Sequence, residues 1–428
     1  MALGGGTFLT QNKVLPGSYI NFVSAAKATA DLSERGTGAL GLTLDWGPVG
    51  EVFRVTAEEF LTDSTSIFGH SYLDESLKGL RDFFLHAQKG IFFRLNQSGE
   101  TASCDLATAR YSGTRGNDIT ITVTKDGETF FVETYLAGRL MDSQAVASYE
   151  ELKDNDFVVF DQETDLTAGT KKMAGGTDGT VETADHQTFL DLLESESFHT
   201  LGCISDDAGT GTLYATYTEQ MREQYGRKFQ TVLLTTTANQ EGIIHLGTKA
   251  KEAAAALVYW VTGKSAGCPI QESNTNALYD GEYTPICNQT QTELEEGIRE
   301  GLFLFHRVGE EIRVLEDINS LTEFTQDKGQ DFSSNQIIRV LDQIGNDIAV
   351  LFATGYLGKV QNNNAGRIAF WNDIITYDRQ LSALGAIEDV VAEEVKVELG
   401  SDKKSVAVTN PITPVCAMSK LYMTVIVQ

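Results

Sequence analysis

Hydrophobic periodicity changes twice along this 428-residue chain, and the changes leave few folds open. From about 101 to 170 the spacing is that of short strands. Ile119, Ile121 and Val123 alternate with threonines, Asp126-Gly127 turns the chain, and Phe131 with the residues after it pairs back. From about 173 helical spacing returns, with helices predicted at about 183–195, 211–226 and 249–262. They are interleaved with strands at about 198–204, 229–234 and 302–308. That order favours a layered α/β domain with a β-rich insertion before it.

The flanks are different again. Thr7 to Val23 holds β-formers broken by Pro16 and Gly17, which reads as an extended arm rather than a central strand. Leu40, Leu42, Leu44 and Trp46 alternate as a half-buried strand. Ser76 to Gln88 places Leu77, Leu80, Phe83, Phe84 and Ala87 on one helix face, and a strand follows at 91–95. Ser333 to Tyr356 is a long amphipathic helix carrying Ile337, Ile338, Leu341, Ile344, Ile348 and Leu351, with Ser333 and Ser334 as N-cap candidates. A second helix runs from about Ile368 to Leu384 and stops near Gly385. Strands are predicted at Val390 to Leu399, Ser405 to Val408 and Leu421 to Val427. The length suggests about three domains, and no 20–50-residue repeat argues for a solenoid.

Charge narrows the function classes. Thirty-three basic against sixty acidic side chains give −27, which argues against nucleic acid or anionic lipid as the main partner. The charge is uneven: −3 on residues 1–100, −21 on 101–330 and −3 on 331–428. Near-neutral ends around an acidic middle suggest ends that meet protein and a middle that meets water; simple drift of charge density reads equally well. No apolar run is long enough to span a bilayer. The amino-terminus has neither the basic nor the apolar region of a signal peptide. Cys104, Cys203, Cys268, Cys287 and Cys416 are odd in number and widely spaced, which fits buried free thiols in a reducing cytoplasm.

Three strings imitate catalytic or nucleotide motifs and fail on context. Gly36, Gly38 and Gly41 spell the dinucleotide fingerprint but precede a strand, where the motif needs a helix. Gly263-Lys264-Ser265 resembles a phosphate loop with Val258 in place of its first glycine. Gly263 to Gly267 also matches a nucleophile elbow around Ser265, with Asp280 and His306 following in triad order. An alanine-rich helix (Glu252 to Trp260) precedes it where the elbow needs a strand, so a glycine-rich helix exit is the plainer reading. The six histidines do not cluster into metal spacing. The residues point to no enzyme, cofactor or metal.

The terminal segments carry the functional signal. KLYMTVIVQ at 420–428 is a strand-forming run with no sequence after it to pair back, and extended arms at both ends suit strand exchange between subunits. A heterologous contact of that kind propagates into rings or helical filaments. Pairing of both termini within their own subunit is the other reading.

Several long blocks also resemble contractile phage tail sheath proteins, especially those of Gram-positive phages and phage-tail-like bacteriocins. They are MALGGGTFLTQNKVLPGSYINFVS with LSERGTGALGLTLDWGP, then ATARYSGTRGNDITITV (107–123) and MAGGTDGT (173–180). Near the carboxy-terminus stand IRVLEDINSLTEF (312–324), DFSSNQIIRVLDQIGNDIAVLF (331–352), GYLGKVQNNNAGR (355–367) and PVCAMSKLYMTVIV (414–427). The resemblance implies an α+β or α/β multidomain fold: an arm at 1–22, an α/β segment at 23–100 packing with the central domain, and a β-sandwich at 101–172. A subtilisin-like α/β domain without catalytic residues would follow at 173–315, then a mixed α/β inner domain at 316–413 and an arm strand at 414–428.

It implies a structural subunit that polymerises helically around a tail tube, assembles in the host cytoplasm, and contracts in a virion tail or bacteriocin particle. Partners would be itself, the tube protein, and baseplate and tail terminator proteins, with no nucleic acid or membrane insertion. The arm residues would be Thr7, Phe8, Leu9, Val14, Leu15, Pro16 and Tyr19, with Leu421, Tyr422, Met423, Thr424, Val425 and Ile426 at the other end. Pro16-Gly17 and Pro411 to Pro414 are hinge candidates. Lys328, Lys359, Arg367 and Arg379 are candidate tube contacts, scattered solvated charge being the plainer alternative. Other readings are the sheath of another contractile injection system and, from a different class, a serine hydrolase using Ser265.

Overall fold

The computed structural model describes residues 32–161 and 163–427. Strand β1 (Thr37–Leu42, TGALGL) is small or apolar throughout and is buried on both faces, not half-buried as its alternation suggested. After it come β2 (Val52–Thr56), α1 (Ala57–Thr62), α2 (Ser64–Phe68), α3 (Lys78–Phe84) and β3 (Lys89–Arg94). Thr56 and Glu59 cap α1 reciprocally. The helix expected over Ser76 to Gln88 is shorter than its periodicity, because Gln88 donates its N–H to the Gly36 carbonyl and its own carbonyl accepts from Ala57 N–H.

The strand-rich stretch supplies β4 (Thr101–Ser103), β5 (Ala107–Ser112), β6 (Ile119–Asp126), β7 (Thr129–Leu136), β8 (Arg139–Val146), β9 (Val158–Phe160) and β10 (Gly169–Lys172). They form two antiparallel sheets, β10-β6-β7-β8 and β4-β5-β9. Ile119, Ile121, Val123 and Val132 of one sheet share a core with Ala107, Ala109, Val158 and Phe160 of the other. Alternation along the first half of β6 is the cause: Ile119, Ile121 and Val123 are buried while Thr120 and Thr122 between them are half-buried.

Alternating α and β elements then return: α4 (Thr183–Leu193), β11 (Thr200–Gly202), α5 (Ala208–Glu223), β12 (Gln230–Leu233), β13 (Ile243–Leu246), α6 (Leu257–Gly267), α7 (Gln291–Arg299) and β14 (Leu302–Phe303). They join the first strands in one sheet of order β14-β13-β12-β11-β1-β3-β2, parallel throughout except for β2. Helices cover both faces. Ala39, Phe93, Leu201 and Leu233 pack on Phe189, Leu190 and Tyr214, while Val232, Ile244 and Leu246 pack on Leu257, Val258 and Val261.

Two elements depart from expectation for tertiary reasons. Helix α6 begins at Leu257 rather than near 249, because Lys249 and Lys251 pair instead with Ile286 and Thr284. The single strand expected at 302–308 is divided: β14 joins the main sheet, while β15 (Phe305–Val308) turns out to pair with β16 (Glu311–Val314).

The remainder holds α8 (Asn335–Leu351), a single π turn at Phe352–Tyr356, α9 (Asn364–Ala383), β17 (Lys396–Leu399) and β18 (Val406–Thr409). Ser333 lies in a 3-10 turn and Ser334 immediately precedes α8. The described chain divides into two compact units. The larger comprises Ser33–Asn346, Leu381–Asp389 and the residues from Ile412; the smaller comprises Asp347–Gln380 and Val390–Pro411.

Within the larger unit the first turns of α8 are seated by polar groups as well as by Ile337 and Ile338. Arg339 pairs with Asp317 at 2.7 Å, and Asp342 takes a bidentate pair from Arg222 at 2.7 and 2.8 Å. Within the smaller unit, Phe352, Tyr356 and Phe370 cluster, and the Tyr377 hydroxyl donates to Asp347 at 2.8 Å. The β17–β18 hairpin is tied down where Asn362 donates to the Ser405 carbonyl at 2.8 Å. The strand expected at Leu421 to Val427 does not form among the described residues.

Candidate assembly surfaces

The carboxy-terminal segment is anchored and then released. Thr413 and Val415 bond to Glu388 and Ala386 at 2.9 and 3.0 Å, and Pro414 bridges Ile387. Past Ala417 the pairing stops. Residues 418–427 are all exposed and, among the described residues, form no strand and no hydrogen bond. Leu421 is 84 % exposed, Tyr422 91 %, Ile426 81 % and Val427 90 %. A strand-forming run of that hydrophobicity, with every backbone donor and acceptor unused, is a template for pairing with another chain.

The described chain also offers an edge of matching kind. The β17–β18 pair is a two-stranded sheet, so each strand has one side paired and one side open among the described residues. Val408 and Leu399 are exposed on it. Thr7, Phe8, Leu9, Val14, Leu15, Pro16 and Tyr19, with the Pro16-Gly17 hinge candidate, lie outside the described residues.

The four basic candidates are not brought together as one set. Lys328 belongs to the larger unit, where Nζ sits 3.0 Å from Glu223 and 2.9 Å from Glu241. Burial works against its charge, but the two carboxylates hold the ammonium above the ordinary lysine range. Lys359, Arg367 and Arg379 belong to the smaller unit. Lys359 donates to the Thr354 carbonyl, Arg367 donates to Asn362 at 3.1 Å, and Arg379 is exposed.

The enzyme-like strings resolve into packing. Ser265 lies inside α6, not at a strand-to-helix elbow; its side chain is buried and Oγ has no hydrogen-bond partner. Asp280 is engaged elsewhere, accepting from Trp260 at 2.7 Å and facing His86 Nε2 at 2.9 Å. Burial pushes both His86 and His306 below the ordinary histidine value. The glycines are there for helix contact, not for an exit. A Cβ at Gly263 would sit 2.2 Å from the Phe83 carbonyl, and one at Gly267 would sit 2.0 Å from the carbonyl of His86. The fingerprint glycines lead into and occupy β1, where a Cβ at Gly38 would strike the Phe83 ring.

All five cysteines are free. Cys203 and Cys268 are buried, with burial pushing Cys203 up to about 12, whereas Cys416 is exposed, contrary to the expectation of buried thiols throughout. Among the described residues no three His, Cys, Asp or Glu side chains are grouped to hold a metal, and no helix is long and apolar enough to cross a membrane.

Three family models match consecutive parts of the chain: the phage tail sheath protein beta-sandwich domain at 96–178, the phage tail sheath protein central domain at 179–320, and the phage tail sheath C-terminal domain at 327–428. The chain belongs to the phage tail sheath family. It is 30 % identical to the phage-like element PBSX protein XkdK of Bacillus subtilis, over 99 % of each chain. The crystal structure of a sheath tail protein from Desulfitobacterium hafniense superposes with a TM-score of 0.82 at 30 % identity, covering 95 % of this chain and 99 % of that one. One from Listeria innocua gives 0.80 at 28 % identity, covering 90 % and 93 %. The anti-feeding prophage helical sheath in its contracted state, 11 % identical, shares the fold at a TM-score of 0.58 over 96 % of this chain and 98 % of that one. This sheath subunit is therefore a mixed α/β multidomain protein of the structural class.

Proposed function

We propose that this chain is the subunit of a contractile sheath that stacks helically around a tail tube and shortens to drive the tube through a cell envelope. The observation that carries the reading is the exposed, apolar, strand-patterned segment from Met418, which has no partner among the described residues. Its partner would be a second copy, joined by β-augmentation at the open edge of the β17–β18 hairpin. Main-chain hydrogen bonds suit that task, because they hold register while a linker bends. The amino-terminal residues Thr7 to Tyr19 would form the second arm.

Donor and acceptor lie on different parts of the chain, so the contact is heterologous and propagates. Contraction then requires two packings of the same subunits separated by roughly a few kcal/mol each, summed along the polymer. The parallel sheet with helices on both faces would be the family's subtilisin-like domain, a scaffold without the protease's residues. The −21 charge on residues 101–330 would face water. Lys359, Arg367 and Arg379 remain the tube-contact candidates, and baseplate and terminator proteins would hold the two ends of the polymer. Assembly would take place in the host cytoplasm.

The test is truncation after Ala417. The shortened chain should fold with an unchanged circular dichroism spectrum and remain monomeric where the full chain forms tubes. Normal tubes from the truncated chain would remove the arm from the account.

A further inference from the structure

We infer that Gln336 is a positioning residue that sets where the carboxy-terminal arm leaves the subunit, and that the arm pivots at Ala417–Met418 rather than at Pro411 to Pro414. The inference rests on the arm reading above and deepens it.

The ladder between 386–388 and 413–415 stops one rung early. Glu388 N–H donates to the Thr413 carbonyl at 2.9 Å, and Val415 N–H donates to the Ala386 carbonyl at 3.0 Å. In an antiparallel pair the next bond would run from Ala386 N–H to the Val415 carbonyl. That N–H is already committed to the Leu381 carbonyl at 3.0 Å, at the end of α9. Gln336 takes over. Its Nε2 donates to the Val415 carbonyl at 3.3 Å, and its Oε1 accepts from Ala417 N–H at 3.0 Å.

A primary amide carries one acceptor oxygen and two donor hydrogens, so it can present to residues i and i+2 of an extended segment what a neighbouring strand would. The second hydrogen is used as well, on the Gln271 carbonyl at 3.0 Å. Gln336 is 3 % exposed and sits in the first turn of α8, so its orientation is held from both ends.

Past this point nothing holds the chain. Met418 is fully exposed, and no residue from 418 to 427 makes a hydrogen bond among the described residues. Pro411 to Pro414 makes a poor pivot, since Thr413 and Pro414 are themselves in the ladder. The location fixes the reach: ten extended residues from 418 to 427 span about 33 Å at about 3.3 Å each. A neighbour's acceptor edge must lie within that distance of Ala417 in every state of the polymer.

Two substitutions and one truncation test this. Gln336→Leu removes donor and acceptor at similar volume. Ala417→Pro removes the N–H that donates to Gln336, at an exposed position outside the core. In the full chain, residue-resolved hydrogen exchange should show Ala417 exchanging about tenfold faster in Gln336→Leu, with Val415 and Glu388 unchanged. Both variants should form sheaths that are shorter than wild type, and the double variant should be no worse than either single one.

Unchanged protection at Ala417 in Gln336→Leu overturns the inference. So do wild-type sheaths from Ala417→Pro when truncation after Ala417 abolishes assembly, and in that case the arm itself still stands. If the truncated chain assembles normally, the arm reading is lost, while the exchange result still decides whether Gln336 holds the segment. Should Gln336→Leu fail to fold, Gln336→Glu keeps the acceptor and loses both donors: Ala417 protection retained at the wild-type level supports the assignment, and its loss opposes it.

Discussion

Asp317→Ala should be among the most damaging single changes in this protein, for reasons that lie in one buried ion pair. Arg339 and Asp317 side chains are each 1 % exposed and meet at 2.7 Å. Asp317 also accepts from Asn274 N–H at 2.9 Å and Asn335 Nδ2 at 3.0 Å, so its carboxylate is well supplied with donors. The guanidinium is not so well matched: besides Asp317 it reaches only the Glu272 carbonyl at 3.0 Å, and Nε and Nη1 have no partner. Removing the carboxylate strands a buried cation, which costs about 3–5 kcal/mol. Arg339→Met keeps most of the volume and leaves a carboxylate still holding two N–H donors, so its cost is smaller, about 1.5–3 kcal/mol. The double variant leaves no buried charge and should cost well under the sum, because the main penalty of each single change is the unpaired partner. Urea titration of all four proteins, followed by circular dichroism below the assembly concentration, gives the cycle. A domain stability of about 5–15 kcal/mol makes these losses measurable. Single costs under about 1 kcal/mol, or costs that simply add, would refute the reasoning.

Other outcomes follow from particular residues. Asp378 is wholly buried, and burial raises it to about 6 from 3.8 against the opposing effect of a hydrogen bond with Asn410. The folded state therefore binds its proton more tightly than the unfolded state. Stability from this group is full below about pH 4, falls as pH rises to about 6, and by pH 7 has dropped about 3 kcal/mol; Asp378→Asn should raise the melting temperature at pH 7.5 and flatten its pH dependence, and a lower melting temperature there would count against it. Gly263→Ala, which drives a Cβ against the Phe83 carbonyl, should cost about 1–3 kcal/mol in denaturant titration, while Ser265→Ala two residues away should change stability by less than about 1 kcal/mol. The reverse ranking would show that the string is not a packing device. Alanine at Lys359, Arg367 and Arg379 together should weaken assembly on tubes at 150 mM salt, a concentration that screens exposed charge beyond about 8 Å, and leave the subunit folded; unchanged assembly would remove them as tube contacts.

Periodicity made the large elements legible. The β6–β7 alternation carries its own faces, and α8 forms where its spacing put a helix, although Leu341, Ile344 and Ile348 are only half-buried on it. Elements set by distant partners were not legible. The residues before α6 look helical in composition, yet pairing with Thr284 and Ile286 overrides that propensity. Strand β13 is only four residues, too short for a pattern. The polar half of α8 was invisible for a different reason: Gln336, Arg339 and Asp342 read as a solvated face until their partners at 415–417, 317 and 222 are brought beside them. For Lys328 the sign is plain in the sequence, but its pairing with Glu223 and Glu241 is not. The carboxy-terminal strand pattern was readable, and what the fold adds is that the segment goes unpaired among the described residues from Met418.

The central claim is polymerisation through that segment, and electron microscopy of the purified full-length protein at rising concentration tests it most directly. The account predicts helical tubes of stacked rings in which density for residues 418–427 lies as an added strand on a neighbouring subunit. Monomers at every concentration, alone and with tube protein, or tubes in which that segment folds back on its own subunit, would contradict it.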